Sequence, residues 1–225
     1  MIGKLIKIFD LRLITRKLKK NGKILDLGCG DGSVVFCLRN MGWDSYGADV
    51  SKIAVKISGK LVGKERIFEI DLGKNNIKNM KFDGILCLHV LEHIVNPDSF
   101  LKGIYRQLNR GGKVIFRIPN SSSLEARIAG DNWMHWDWPY HQIMYNPQSV
   151  TKLLRRSRFK KIEISSRTWE YKQVLLYSLL QFLGINIMSQ KIKLMFLPLQ
   201  LIFVPLSLFL GILGNSGTLE IKAEK

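Results

Sequence analysis

The residues best placed to do chemistry lie between Ile24 and Val34. They read Ile24-Leu25-Asp26-Leu27-Gly28-Cys29-Gly30-Asp31-Gly32-Ser33 before Val34. An apolar strand runs into glycines at alternate positions and then into a helix. Glycine lets such a turn close tightly and lets the backbone approach a ligand. The spacing is GxGxG, not the GxGxxG of dinucleotide sites. Acids flank the turn, Asp26 before it and Asp31 within it, and would repel a pyrophosphate at the helix N-terminus. A ligand carrying a sulfonium and an ammonium would not be repelled. Asp49 follows Gly28 by 21 positions and ends the next strand. A carboxylate there can accept from both ribose hydroxyls, or it can cap the following helix through the Asp-x-Ser pattern. Asp71 follows a third strand, where a carboxylate meets an adenine amino group or serves as a plain loop acid.

These residues need a parallel sheet to hold them at one edge, and the remaining pattern supplies one. Strands are expected at Lys23–Leu27, Trp43–Ala48, Arg66–Ile70 and Phe82–Leu88. Helices are expected at Ser33–Asn40, capped by Asp31 or Ser33, and at Ser51–Lys60. The Phe82–Leu88 run is apolar enough for burial on both faces. A helix over Pro97–Leu108 leads through Asn109-Arg110-Gly111-Gly112 into a strand at Lys113–Ile118. Pro147–Ser157, capped by Asn146, reads as a further helix, and Phe159–Thr168 as a further strand. Thr218–Ala223 alternates like a sheet strand. The order implies an α/β, Rossmann-like, doubly wound and mostly parallel sheet.

The chain has 225 residues, 46% of them hydrophobic, which excludes disorder as its ground state. It has 35 Lys and Arg against 18 Asp and Glu, a net charge of +17. Such a surplus suits polyanions, either an anionic membrane leaflet or nucleic acid. Cys29, Cys37 and Cys87 form no CxxC or Cys/His cluster and read as reduced thiols. No cleavable leader is expected, because Lys4, Lys7 and Asp10 interrupt the first apolar stretch.

Taken together, the chain resembles a class I S-adenosylmethionine-dependent methyltransferase. The resemblance rests on LDLGCGDG at Leu25–Gly32, ADVS at Ala48–Ser51, EIDL at Glu69–Leu72, FDGILCLHVLEHI at Phe82–Ile94 and LNRGGKVIFRIPN at Leu108–Asn120. It implies that Asp26, Gly28, Gly30 and Gly32 surround the methionine part of S-adenosyl-L-methionine. Asp49 would hold the ribose, Asp71 and Leu72 would contact adenine, and Leu88 would border the methionine end. It also implies a last, antiparallel strand, which suits Thr218–Ala223. Leu91-Glu92-His93 and Pro139-Tyr140-His141 are similar to the branch of ubiquinone-biosynthesis O-methyltransferases and lipid or glycan methyltransferases. Some quinone enzymes there show Glu-x-x-Glu-His and are thought to hold magnesium. This chain has His89 at the first Glu, a poor ligand for a hard cation, so no metal is expected.

Methyl transfer needs in-line alignment of acceptor and methyl, and an oxygen acceptor must also lose its proton, which suits a histidine. His141 is the first choice for that base or for a substrate contact, then His89. His93 fits the family pattern but also fits a structural hydrogen bond. The segment Trp133-Met134-His135-Trp136-Asp137-Trp138-Pro139-Tyr140 reads as the wall of an apolar acceptor pocket, or as a packed lid.

Four regions follow. Residues 1–22 form a basic amphipathic helix (Met1–Lys20) that caps the domain or lies on a membrane. Residues 23–169 form the cofactor-binding core, and 217–225 the last strand. Residues 170–216 form an apolar helical insertion. Its Leu194–Leu213 run has 20 residues without charge, about the ~20 needed to span a bilayer. A single crossing would strand the last strand on the wrong side. Two helices in one leaflet are therefore expected, with a helical hairpin over the core, or a dimer partner, as the alternative. The expected function is O-methylation of a lipid-soluble or lipid-linked acceptor, such as a quinone precursor, a polyprenyl-linked sugar or a glycolipid. It would occur at the cytoplasmic face of the membrane, on a peripheral or monotopic protein. Two alternatives are a nucleic-acid methyltransferase, for which no Asn/Asp-Pro-Pro-Tyr/Phe motif follows the fourth strand, and a non-catalytic membrane scaffold on the cofactor fold.

Overall fold

A computed structural model describes residues 2–16, 18–19, 21–71, 77, 80–166 and 215–225, with isolated positions at 176, 180, 183–185 and 209. Leu72 and nearly all of the apolar insertion, 170–216, lie outside the described residues. Its strands are β1 (Lys23–Leu27), β2 (Asp44–Asp49), β3 (Ile67–Glu69), β4 (Phe82–Leu88), β5 (Leu108–Pro119), β6 (Lys160–Ser165) and β7 (Thr218–Glu224). They form one sheet in the order β3-β2-β1-β4-β5-β7-β6. β1 through β5 pair in parallel, and β7 runs antiparallel between β5 and β6. This is the expected Rossmann-like arrangement, with the chain order reversing at β1/β4, the place where such sheets bind ligands.

The helices are α1 (Ile2–Thr15), α2 (Ser33–Asn40), α3 (Lys52–Val62), α4 (Pro97–Gln107), α5 (Leu124–Ala129) and α6 (Pro147–Arg156). Local chemistry sets their starts. Ser51 accepts from the Ala54 amide, Asn96 from Ser99, and Asn146 from Ser149, with proline at the first position of α4 and α6. α2 starts differently from expectation: its cap is Gly32, and Asp31 instead accepts from the Ser33 amide at 2.9 Å. α1 stops five residues short of the expected Lys20, because Asn21 (φ 55°) and Gly22 must turn the chain into β1. The expected turn at 109–112 survives as an irregularity inside β5: Phe82 pairs with Leu108 and Gly84 with Lys113.

Apolar side chains close both faces. Leu25, Ile85, Phe100, Ile104, Val114, Phe116 and Val150 fill one layer, and Leu11, Ile14, Ile24, Leu38 and Leu86 the other. The second half of α1 therefore caps the sheet, the domain-capping alternative for that helix. Asp10 reinforces it by pairing with Arg117, 1% exposed on β5, at 2.5 and 2.7 Å; Glu220 on β7 meets the same guanidinium at 2.8 Å. No helix of the described residues is long and apolar enough to cross a membrane.

Candidate active site

The glycine turn follows β1 and folds over the end of β2. The Gly28 and Cys29 amides both donate to the Ala48 carbonyl, at 2.7 and 3.1 Å. Cys29 sits against Gly47, where an added Cβ would lie 2.8 Å from its sulfur. Gly28, Gly30 and Gly32 all have positive φ, at 82°, 51° and 79°. A Cβ at Gly28 would strike Val90 Cγ2 at 2.4 Å, and one at Gly32 would strike Ser58. At Gly30 it would meet nothing within 4 Å. Two of the three glycines are thus demanded by packing, and the middle one faces open space.

Ser51, not Asp49, caps α3, and Asp49 ties the glycine turn to the start of that helix. Its Oδ2 accepts from the Gly30 amide at 2.9 Å and its Oδ1 from the Ser51 amide at 2.9 Å. The carboxylate thereby fixes the turn, and its remaining lone pairs stay available to ribose hydroxyls. Asp26 is buried within β1 just below the turn, and Asp71 is exposed just past β3. Leu88, half-buried at the end of β4, packs on the α1/α2 layer. The donor set fits S-adenosylmethionine: acids for its ribose and cationic groups, an open approach at Gly30, and glycines rather than side chains around the turn. All three cysteines are buried free thiols. Burial pushes Cys29 up to about 12, with Asp26 and Asp49 adding to it, so it is no nucleophile.

A second set of groups lies beside the turn, joined to it through Val90. The chain leaves β4 at His89, a left-handed residue (φ 57°) whose amide donates to the Arg117 carbonyl at 2.9 Å. A short 3-10 turn, Leu91–His93, follows. The excursion after β5 then folds back over it. The Gln142 and Ile143 amides both donate to the Glu92 carbonyl, and the Ser121 amide to that of Tyr145. This brings the four histidines together, three of them (His89, His93 and His141) around Glu92. His93 and His141 have ring centroids 4.8 Å apart, and His135 and His141 6.3 Å. His89 Nδ1 lies 3.3 Å from Glu92 Oε1. His93 Nδ1 lies 2.9 Å from the Tyr140 carbonyl, and His141 Nδ1 2.7 Å from that of His135. Burial drives His135 down to about 3, aided by His89 and His141, so it is neutral.

His89, His93 and His141 are therefore brought together as expected of a reaction-side cluster. Glu92, only 1% exposed, is its centre, a role that sequence reasoning did not assign it. The signal available was a carboxylate in a Leu-Glu-His turn directly after a core strand. The aromatic segment divides. Trp133 is 1% exposed and packs with Ala126, Met134 and Met144, as the packed-lid alternative has it. Trp136, Trp138 and Tyr140 are 48%, 76% and 68% exposed. Leu176 and Leu180, two described positions of the insertion, pack against Met134. Glu125 opens α5, a helix that the sequence did not reveal. Burial raises its carboxyl to about 7, opposed by a hydrogen bond with the Gly217 backbone.

A model of the methyltransferase domain family matches residues 3–164. The ubiquinone biosynthesis O-methyltransferase of Idiomarina loihiensis is 26% identical over 155 residues, covering 64% of this chain and 63% of that protein. The protein of the same name from Maricaulis maris is 31% identical over 146 residues, covering 59% and 57%. The chain thus matches less than two thirds of the length of either relative. Among solved structures, a SAM-dependent methyltransferase from Archaeoglobus fulgidus superposes with a TM-score of 0.65 at 19% identity, over 99% of this chain and 94% of that one. Phosphoethanolamine N-methyltransferase 2 of Haemonchus contortus, solved with S-adenosyl-L-methionine, gives 0.63 at 19% identity, over 100% of this chain and 57% of that one. The match over 3–164 covers most of the sequence, and the chain belongs to the methyltransferase domain family, S-adenosylmethionine-dependent and of the class I fold.

Proposed function

We propose that the chain methylates an oxygen of a lipid-soluble or lipid-linked acceptor (a quinone precursor, a polyprenyl-linked sugar or a glycolipid) while peripheral or monotopic on the inner face of the membrane. The observation that carries this is the exposed aromatic group Trp136, Trp138 and Tyr140 next to His141. Aromatic side chains with polar tips suit an apolar acceptor and a membrane interface. The names of the curated relatives agree with an oxygen acceptor.

When bound, the cofactor supplies a methyl group on a cationic sulfur. The protein's own part is to hold, orient and deprotonate. The turn at Gly28–Gly32 and the Asp49 carboxylate hold the cofactor's sugar and amino-acid ends. The His135 carbonyl accepts from His141 Nδ1, which places the proton there and leaves a lone pair on Nε2. That nitrogen takes the acceptor's hydroxyl proton as its oxygen becomes the nucleophile. His141→Ala is expected to lower kcat by about 10²-fold or more while leaving cofactor affinity unchanged.

The test is transfer of labelled methyl from S-adenosylmethionine into extracts of a strain lacking the gene. Label is expected in the organic phase, in a species heavier by one methyl. Label in RNA instead would overturn the lipid reading in favour of the nucleic-acid alternative.

A further inference from the structure

The end of the sheet away from the glycine turn holds a cavity of about 520 Å³, within the ~300–1,000 Å³ usual for ligand pockets. Six cations line it: Lys81 just before β4, Lys102 and Arg106 on α4, Arg156 and Arg158 at the end of α6, and Lys225 after β7. Among the described residues, no acidic side chain lines it, and Arg156 alone of the six is paired with a carboxylate, that of Asp98, at 2.7 and 2.9 Å. The fold uses two more. Lys81 Nζ donates to the Arg106 carbonyl and Lys225 Nζ to the Leu108 carbonyl, the latter at 2.7 Å, which satisfies the exit of α4. The side chains of Lys102, Arg106 and Arg158 have no partner among the described residues.

These three stand where the fold gains nothing from them. Lys102 and Arg106 are four apart on one face of α4, a like-charge pair that weakens a helix. α6 ends in a complete Schellman turn, with the Phe159 amide donating to the Leu154 carbonyl at 3.1 Å and the Arg158 amide to that of Arg155 at 3.0 Å. The left-handed position of that turn suits glycine best, yet here it is Arg158, at φ 73°. Helix dipoles do not account for the cluster. α4 and α6 both end here, but their C-termini together amount to about one negative charge, against five cations without a carboxylate. Lys225 registers the surplus: burial, then the charge of Lys81, holds its ammonium below the usual lysine range.

We propose that this cavity binds an anion of two or three phosphates, with Lys102, Arg106 and Arg158 as its chief contacts. Phosphate oxygens accept, and lysine and arginine only donate. Cations on four separate stretches of chain suit a run of phosphates, each meeting a different part of the wall, better than a single one. The site lies at the opposite end of the sheet from the glycine turn and the histidines. It therefore fills independently of the cofactor and does not rest on the acceptor proposed above.

The test is calorimetric titration of the full chain with inorganic tripolyphosphate alone, at physiological ionic strength, with and without S-adenosylmethionine. One equivalent is expected to bind in both cases. Lys102→Gln combined with Arg158→Gln should weaken binding by about tenfold or more and leave cofactor affinity unchanged. Lys56→Gln combined with Lys60→Gln, exposed on α3, removes the same charge elsewhere and should change it by no more than about twofold. Arg158→Gly separates contact from fold. It should unfold at no lower temperature than the parent, since glycine relaxes the left-handed turn, yet bind tripolyphosphate several-fold more weakly. Vesicles carrying a polyphosphorylated inositol lipid identify the source of the phosphates. Flotation abolished by the Lys102→Gln, Arg158→Gln pair marks a lipid headgroup; flotation unchanged in that pair, with tripolyphosphate binding lost, marks a soluble ligand. Tripolyphosphate that does not bind saturably, or binding weakened equally by both double variants, would overturn the site.

Discussion

Gly30 separates what the fold needs from what the ligand needs. Its neighbours Gly28 and Gly32 are excluded from carrying a side chain by Val90 and Ser58, whereas a Cβ at Gly30 would enter empty space. Gly30→Ala should therefore cost only the left-handed strain of φ 51°, about 1 kcal/mol. It should also set a methyl at the cofactor's approach and weaken S-adenosylmethionine binding by about tenfold or more, equivalent to ~1.4 kcal/mol. Thermal unfolding and calorimetry on the same variant separate the two effects. Full cofactor affinity in the alanine variant would mean that Gly30 does not face the ligand. These glycines could be read in the sequence because backbone geometry at a tight turn admits one residue type. The histidine cluster could be read only in part. His93 and His141 are 48 positions apart, and what joins them is a pair of amides donating to the Glu92 carbonyl, which leaves no trace in side-chain spacing.

At the scale of elements, the strands and most helices follow from periodicity and caps, and the departures have local causes. β3 begins at Ile67, one residue late, because Arg66 closes a 3-10 turn and pairs with Asp44 at 2.7 Å. α5 was missed because six residues carry too little periodicity, and its cap at Ser123 sits in a serine run. Most hidden of all is the anchor of α1. Arg117 lies in a strand that reads as core, yet its guanidinium is buried between Asp10 of α1 and Glu220 of β7. Its charge is met by elements from opposite ends of the sequence. Arg117→Met would leave the buried Asp10 carboxylate without its cation, while Glu220 keeps Lys222 at 3.1 Å, and is expected to cost about 3 kcal/mol in urea unfolding. Asp10→Asn keeps an acceptor for Arg117, and Glu220 remains, so it should cost only about 1 kcal/mol. Equal, small costs for both would show that α1 is held by Leu11 and Ile14 alone.

At the scale of the whole molecule, the two features that suit an anionic membrane lie at opposite ends of the sheet. The exposed Trp136, Trp138 and Tyr140 stand beyond the C-terminal ends of β4 and β5, beside the histidine cluster. Lys81, Lys102, Arg106, Arg158 and Lys225 line a basic cavity of about 520 Å³ at the other end, where β4 and β5 begin and antiparallel β7 finishes. Both cannot face one bilayer. Docking through the aromatic end brings a lipid-borne acceptor to His141; docking through the basic cavity turns the glycine turn away from it. On the proposed membrane reading, a net charge of +17 would favour anionic lipid in either orientation, so composition alone does not choose. Orientation follows instead from desolvation: Trp and Tyr gain at the interface by burying ring area, at ~25 cal/mol per Å², while the cavity's cations stay solvated within it. Flotation with anionic vesicles distinguishes the two. Trp138→Ser combined with Tyr140→Ser is expected to reduce the bound fraction several-fold. Lys102→Gln combined with Arg158→Gln removes two charges from +17 and should leave binding nearly intact. The reverse pattern would place the basic end on the membrane and the acceptor in solution, and the lipid-borne substrate would have to be abandoned.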